Sequence, residues 1–151
     1  MPTQDLIEFF KAKRAQGGPA NLNWEQRKSE WIENLHGLHK QVTTWLQPAI
    51  DAGTVVPDYR STSITEEFMG AYDAPELALV VGDETVVFSP KARNIVGGSG
   101  RVDLRGEMGE VTLVLQPDTR WSVVKQRTPT LRVVPLDQDS LLDALRDVMR
   151  P

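Results

Sequence analysis

The spacing of apolar residues changes near Gly53. Before it, apolar positions recur with a helical period around Trp24, Trp31 and Trp45. After it, short stretches alternate between apolar and polar until a last helical pattern begins near Asp137. A switch from period 3.6 to period 2 and back predicts helices at both ends of the chain and strands between them.

A first helix is predicted from about Thr3 to Gln16, with Thr3 as cap, Asp5 and Glu8 in its early turns and Lys11, Lys13 and Arg14 at its end. Leu6, Ile7, Phe9 and Phe10 form its short apolar face, and Gly17-Gly18-Pro19 stops it. In the second helix, Trp24, Trp31, Leu38 and Trp45 recur every seven residues, with Leu35, Val42 and Ala49 between them. Ile32, Leu46 and Ile50 widen this stripe to that of a core-facing helix. Asn23 stands where its cap belongs, and Pro48 should kink or end it near Leu46 or Gln47. Running from 24 to about 51, it would be roughly 40 Å long.

Strands follow. Val55-Val56 ahead of Pro57 suits only an edge, and a weaker strand is indicated around Ile64, Glu66 and Phe68. Leu77–Val81 and Thr85–Ser89 flank Gly82-Asp83-Glu84, and Arg101–Arg105 and Val111–Gln116 flank Gly106-Glu107-Met108-Gly109: two hairpins. Arg120–Arg127 and Thr130–Val134 complete the series. A third helix from Asp137 or Asp139 is predicted to bury Leu141, Leu142, Leu145, Val148 and Met149. Sequential hairpins imply a mostly antiparallel sheet of about five to seven strands over 54–134, in an α+β fold. The helical layer (3–51) and the C-terminal helix (138–149) would pack on one face of it, in a single domain of residues 1–151.

Composition narrows the possibilities. Hydrophobic content of 40% against 25% charge argues for a folded chain rather than a disordered one. No apolar run approaches the ~20 residues of a membrane-spanning helix, and the start carries no cationic and apolar leader, so a cytoplasmic protein is expected. The absence of cysteine excludes disulfides, thiolate nucleophiles and Cys-based metal sites. The net charge of −4 comes from residues 54–100, where Asp58, Glu66, Glu67, Asp73, Glu76, Asp83 and Glu84 face only Arg60, Lys91 and Arg93. That balance disfavours general nucleic-acid binding.

Candidate chemistry is sparse. His36 and His39 lie three apart on the second helix with Glu33 a turn earlier, but the common zinc pair has spacing four, so no metal is expected. Gly97, Gly98, Ser99 and Gly100 ahead of Arg101 form a possible anion nest, with Arg105 and Arg132 as further cations if the strand faces converge. The loop opens a strand rather than a helix and fits neither the P-loop nor the dinucleotide spacing; a connection into a hairpin explains it without a ligand. Arg101, Asp103 and Arg105 alternate with Val102 and Leu104, as on a solvated, salt-bridged sheet face. Glu66-Glu67 and Asp83-Glu84 lack a context for acid–base work, and Asp137 and Asp139 suit helix capping.

No catalytic or cofactor signature is present, so the favoured expectation is a non-enzymatic protein-binding or regulatory module of the adaptor, immunity or chaperone kind. It would act through the surface bearing Trp24, Trp31 and Trp45 or through the open sheet face, on another protein or as a homodimer. The alternatives are a small-ligand protein or enzyme with an anion site at 95–101, and nucleic-acid binding through the arginine-bearing strand face.

Overall fold

The computed structural model describes residues 5–10, 20–66, 70–92, 100–126, 129–130 and 132–151. Residues 5–10 form a helical segment, α1; the rest of the predicted Thr3–Gln16 helix lies outside the described residues. Helix α2 spans Ala20–Trp45, a short α3 spans Gln47–Asp51, and α4 spans Gln138–Val148. Between them are β1 (Val56–Glu66), β2 (Gly70–Val81), β3 (Glu84–Ala92), β4 (Gly100–Gly106), β5 (Gly109–Leu115), β6 (Trp121–Gln126) and β7 (Arg132–Pro135). The seven strands form one antiparallel sheet in chain order, β1 to β7, so each strand pairs with its sequence neighbours. The α+β architecture read from the sequence is the one observed.

The start of the second helix differs from expectation. The second helix begins at Ala20 and so includes Asn23, which is not its cap. Ala20 follows Pro19, a residue compatible with the first turn of a helix but not its interior. The end of α2 agrees with expectation: it stops at Trp45, next to the expected Leu46–Gln47 break, and Pro48 sits in the first turn of the separate α3, where its missing N–H leaves no helical bond unmade.

The first hairpin is longer than its alternation suggested. β1 and β2 pair continuously from Val56↔Val80 to Glu66↔Gly70, absorbing the weak strand around Ile64 and running through Pro57 and Pro75. Both prolines are tolerated for lack of a neighbour. β1 is an edge strand, and β3 pairs with β2 only over Leu77–Val81, which leaves Pro75 in a stretch with one free flank. Burial in β2 changes parity there. Tyr72 and Ala74 are buried on one side of the proline and Leu77 and Leu79 on the other, as befits a two-stranded ribbon free to twist strongly.

One face of the sheet carries Leu79, Val86, Phe88, Val102, Leu104, Leu113, Leu115, Trp121 and Val123, cross-strand neighbours by register. Trp31, Leu35, Leu38 and Val42 of α2 and Leu141, Ala144 and Val148 of α4 join this core. Two glycines show that both helices lie on that same face. A methyl group on Gly100 would overlap the Trp31 ring, and one on Gly106 would overlap the Val148 carbonyl. The sheet therefore needs a glycine where each helix approaches most closely. Helix α4 is held at its start by Asp137 and Ser140, which cap one another reciprocally. At its other end, Arg150 pairs with Asp83, Glu84 and Glu107, so one side chain joins the turns of two hairpins. The α4 face differs from expectation at Leu142, which is 46% exposed while Ala144 is buried. Leu142 lies about 100° around the helix from Leu141 and is carried off the sheet.

Candidate functional site

The candidate anion loop divides at Gly100. Gly97, Gly98 and Ser99 lie outside the described residues. Gly100 is buried beneath Trp31, so its lack of a side chain serves helix packing. Arg101 is engaged by Asp103: its Nε donates to Oδ1 at 2.9 Å and its Nη2 to Oδ2 at 3.2 Å. Thr112 Oγ1, across the β4–β5 ladder, donates to the same Oδ1 at 3.3 Å. The hydrogen bond to Asp103 raises the Arg101 pKa further above its ordinary value. Asp103 is only 3% exposed, so the strand face read as solvated contains a buried, paired carboxylate.

The three arginines do not converge. Arg105 is exposed and paired with Glu110 at 3.4 Å. Arg132 lies on β7, three strands from β4, about 14 Å away at ~4.8 Å per strand. Alternation also places it on the side of Val134, which packs against the core, rather than with Arg101 and Arg105. Its neighbour Val133 is exposed. A register shift between Val124 and Gln126 leaves Lys125 exposed although it shares parity with Trp121 and Val123.

The tryptophans divide as well. The Trp24 side chain lies outside the described residues. Trp31 is a core residue, packed on Gly100 and lying 6.1 Å from the Trp121 ring centroid. Trp45 is half-buried against the core. Trp31 thus offers no surface for a partner; it anchors α2 to the sheet. Among the described residues no group of three His, Asp or Glu is placed to hold a metal. His36 is exposed, but His39 is 2% exposed and its Nε2 has no hydrogen-bond partner among the described residues. Burial, together with neighbouring His36, lowers its pKa from 6.5 to about 4, so the imidazole is neutral in the folded protein. Glu66 is also buried, accepting a hydrogen bond from the Tyr72 hydroxyl.

Compared with models of known protein families, with curated proteins and with solved structures, the chain matches none. What it can do must therefore be read from its own surfaces.

Three surfaces stand out. Leu6, Ile7, Phe9 and Phe10 of α1 are all between 45% and 64% exposed, so none of the four is a buried core residue. A second feature is an apolar groove of about 270 Å³ between α4, the end of α2 and the β2–β3 hairpin, lined by Leu46, Leu79, Val86, Leu142, Leu145 and Met149. Arg146 and Arg150 also line it. The third is an open cleft of about 750 Å³, lined by Gln41 of α2, by Gln116, Asp118, Thr119 and Arg120 of the β5–β6 turn, and by Ser122. The apolar residues of α1 are legible in the sequence, but the binding role was expected of the tryptophans or of the open sheet face. The sequence had no signal for the groove, whose walls come from four elements far apart in the chain. No helix among the described residues is long and apolar enough to cross a membrane.

Proposed function

We propose that this protein is a non-enzymatic protein-binding module that docks through the apolar face of α1. The observation that carries this reading is the exposure of four large apolar residues within five positions, Leu6, Ile7, Phe9 and Phe10. Scattered exposed apolar residues are ordinary, but four contiguous ones form a patch that water solvates poorly and a partner surface covers well. Phe9 and Phe10 stand edge to face, 5.5 Å between centroids, and present two rings together. Aromatic anchors of this kind supply a large share of binding energy in protein interfaces. Asp5 and Glu8 would sit at the rim of such a contact.

The test compares the wild-type chain with Phe9→Asp/Phe10→Asp as bait for affinity capture from its native source. A partner retained by the wild type and lost by the variant, with the two thermal unfolding curves superimposed, supports the reading. Equal recovery by both chains refutes it.

A second reading is favoured by the 750 Å³ cleft, which falls within the ~300–1,000 Å³ range of small-molecule sites. Its Gln41, Gln116, Asp118 and Arg120 suit a polar, hydrogen-bonding ligand. Thermal-shift screening against polar metabolites tests this, and stabilisation abolished by Gln41→Leu would support it.

A further inference from the structure

We infer that the cleft beside the β5–β6 turn, together with a smaller recess next to it, binds an uncharged, hydroxyl-rich ligand such as a short oligosaccharide. The inference rests on the reading of that cleft as a ligand site and names the chemistry it takes.

The two hollows share a wall. The recess, of about 110 Å³, lies between Glu30, Trp31 and Asn34 of α2 and Leu115 and Gln116 where β5 ends. Gln116, Pro117 and Thr119 line both the recess and the 750 Å³ cleft. Asn34 in the one and Gln41 in the other stand two turns apart on the same side of α2, about 10 Å from each other along its axis.

Charge selects against an ion. Each hollow has one acid and one base in its walls. In the cleft, Arg120 Nε lies 3.3 Å from Asp118 Oδ2. In the recess, Glu30 accepts a hydrogen bond from Gln26 at 3.2 Å, and Arg27 has a partner of its own. With charges balanced, the walls favour neither an anion nor a cation.

What remains is carboxamide. The side chains of Asn34, Gln41 and Gln116 make no hydrogen bond among the described residues. Each offers donors and an acceptor, and a sugar hydroxyl is itself both, so one amide can hold two neighbouring hydroxyls. Trp31, buried at the recess wall, has an Nε1 without a hydrogen-bond partner among the described residues, a donor still unmet. Pro117, Pro135 and the exposed Val133 give the cleft an apolar strip, which suits the C–H face of a sugar ring. Backbone strain falls on the same wall. Thr119 is held at φ 69°, and strained residues of this kind gather at ligand clamps.

Trp31 lines the recess and Trp121 the cleft, so tryptophan fluorescence reports binding without a label. Titrations with maltotriose, cellotriose and chitotriose are run beside citrate and spermidine as charged probes. At least one neutral sugar should give a saturable change, with a Kd on the order of 1 mM. Gln41→Leu and Asn34→Leu should each weaken that binding about tenfold while unfolding at the wild-type denaturant midpoint. No response to any of the three sugars, or a response that both variants leave intact, overturns the inference. If only citrate or spermidine binds, and Gln41→Leu abolishes it, the hydroxyl assignment has failed and the cleft remains a ligand site.

Discussion

Thr119 is held at φ 69°, a left-handed conformation that a β-branched residue strongly disfavours. The turn imposes it. Thr119 N donates to the Gln116 carbonyl at 2.9 Å, with Pro117 and Asp118 as the central residues. Gln116 N donates to the Arg120 carbonyl at 2.8 Å and closes the hairpin. A three-residue hairpin loop of this type wants glycine in the left-handed position. Thr119→Gly should therefore raise stability by about 1 kcal/mol, read as a higher denaturant midpoint with an unchanged slope. Gly100 is the opposite case. Its space is filled by the Trp31 ring, so Gly100→Ala should destabilise by about 1–3 kcal/mol, through overpacking rather than backbone strain. Equilibrium unfolding monitored by tryptophan fluorescence checks both. Neither effect could be assigned from sequence, where Thr119 reads as an ordinary turn residue and Gly100 as one more glycine of a rich loop.

Pairing between elements decides what the polar positions do. Arg101, Asp103 and Thr112 form one network across β4 and β5, with the carboxylate buried and both its oxygens accepting. Removing only the cation leaves a buried charge uncompensated. Arg101→Met should therefore cost about 3 kcal/mol, while Arg101→Met/Asp103→Val should recover most of the loss. Chemical denaturation of the two variants beside the wild type measures the difference, and equal losses would show that the carboxylate does not need its partner. Alternation with Val102 and Leu104 was enough to put Arg101, Asp103 and Arg105 on the second face. It carried no information on which of them would be covered, because that depends on neighbouring strands.

Stability of the molecule as a whole should respond to acid through His39. Its pKa is about 4 in the folded protein and 6.5 in an unfolded chain. Above pH 6.5 neither state takes up the proton and the full stability is present. As pH falls from 6.5 to about 4 only the unfolded state gains it, so stability declines, by up to ~3 kcal/mol. Urea unfolding at a series of pH values should show this loss, and His39→Leu should flatten the curve over that window. His39 lies between the α2 core positions Leu35 and Val42, all three buried beside the sheet, so acid acts on the contact between the layers.

The seven-strand antiparallel order, the helices at both ends and the capped start of α4 follow from local rules. Apolar period, turn residues and capping side chains act over a few positions, and a meander pairs each strand with its neighbours in the chain. Tertiary structure alone decided the rest. β2 runs through Pro75 because β3 leaves that flank open, and Gly100 and Gly106 are glycines because two helices approach the same face there. Leu142 and α1 keep their apolar surfaces outside the core, whereas Trp31, the most conspicuous candidate for a binding surface, fills it. Burial depends on contacts between residues far apart in sequence, and no local pattern encodes them.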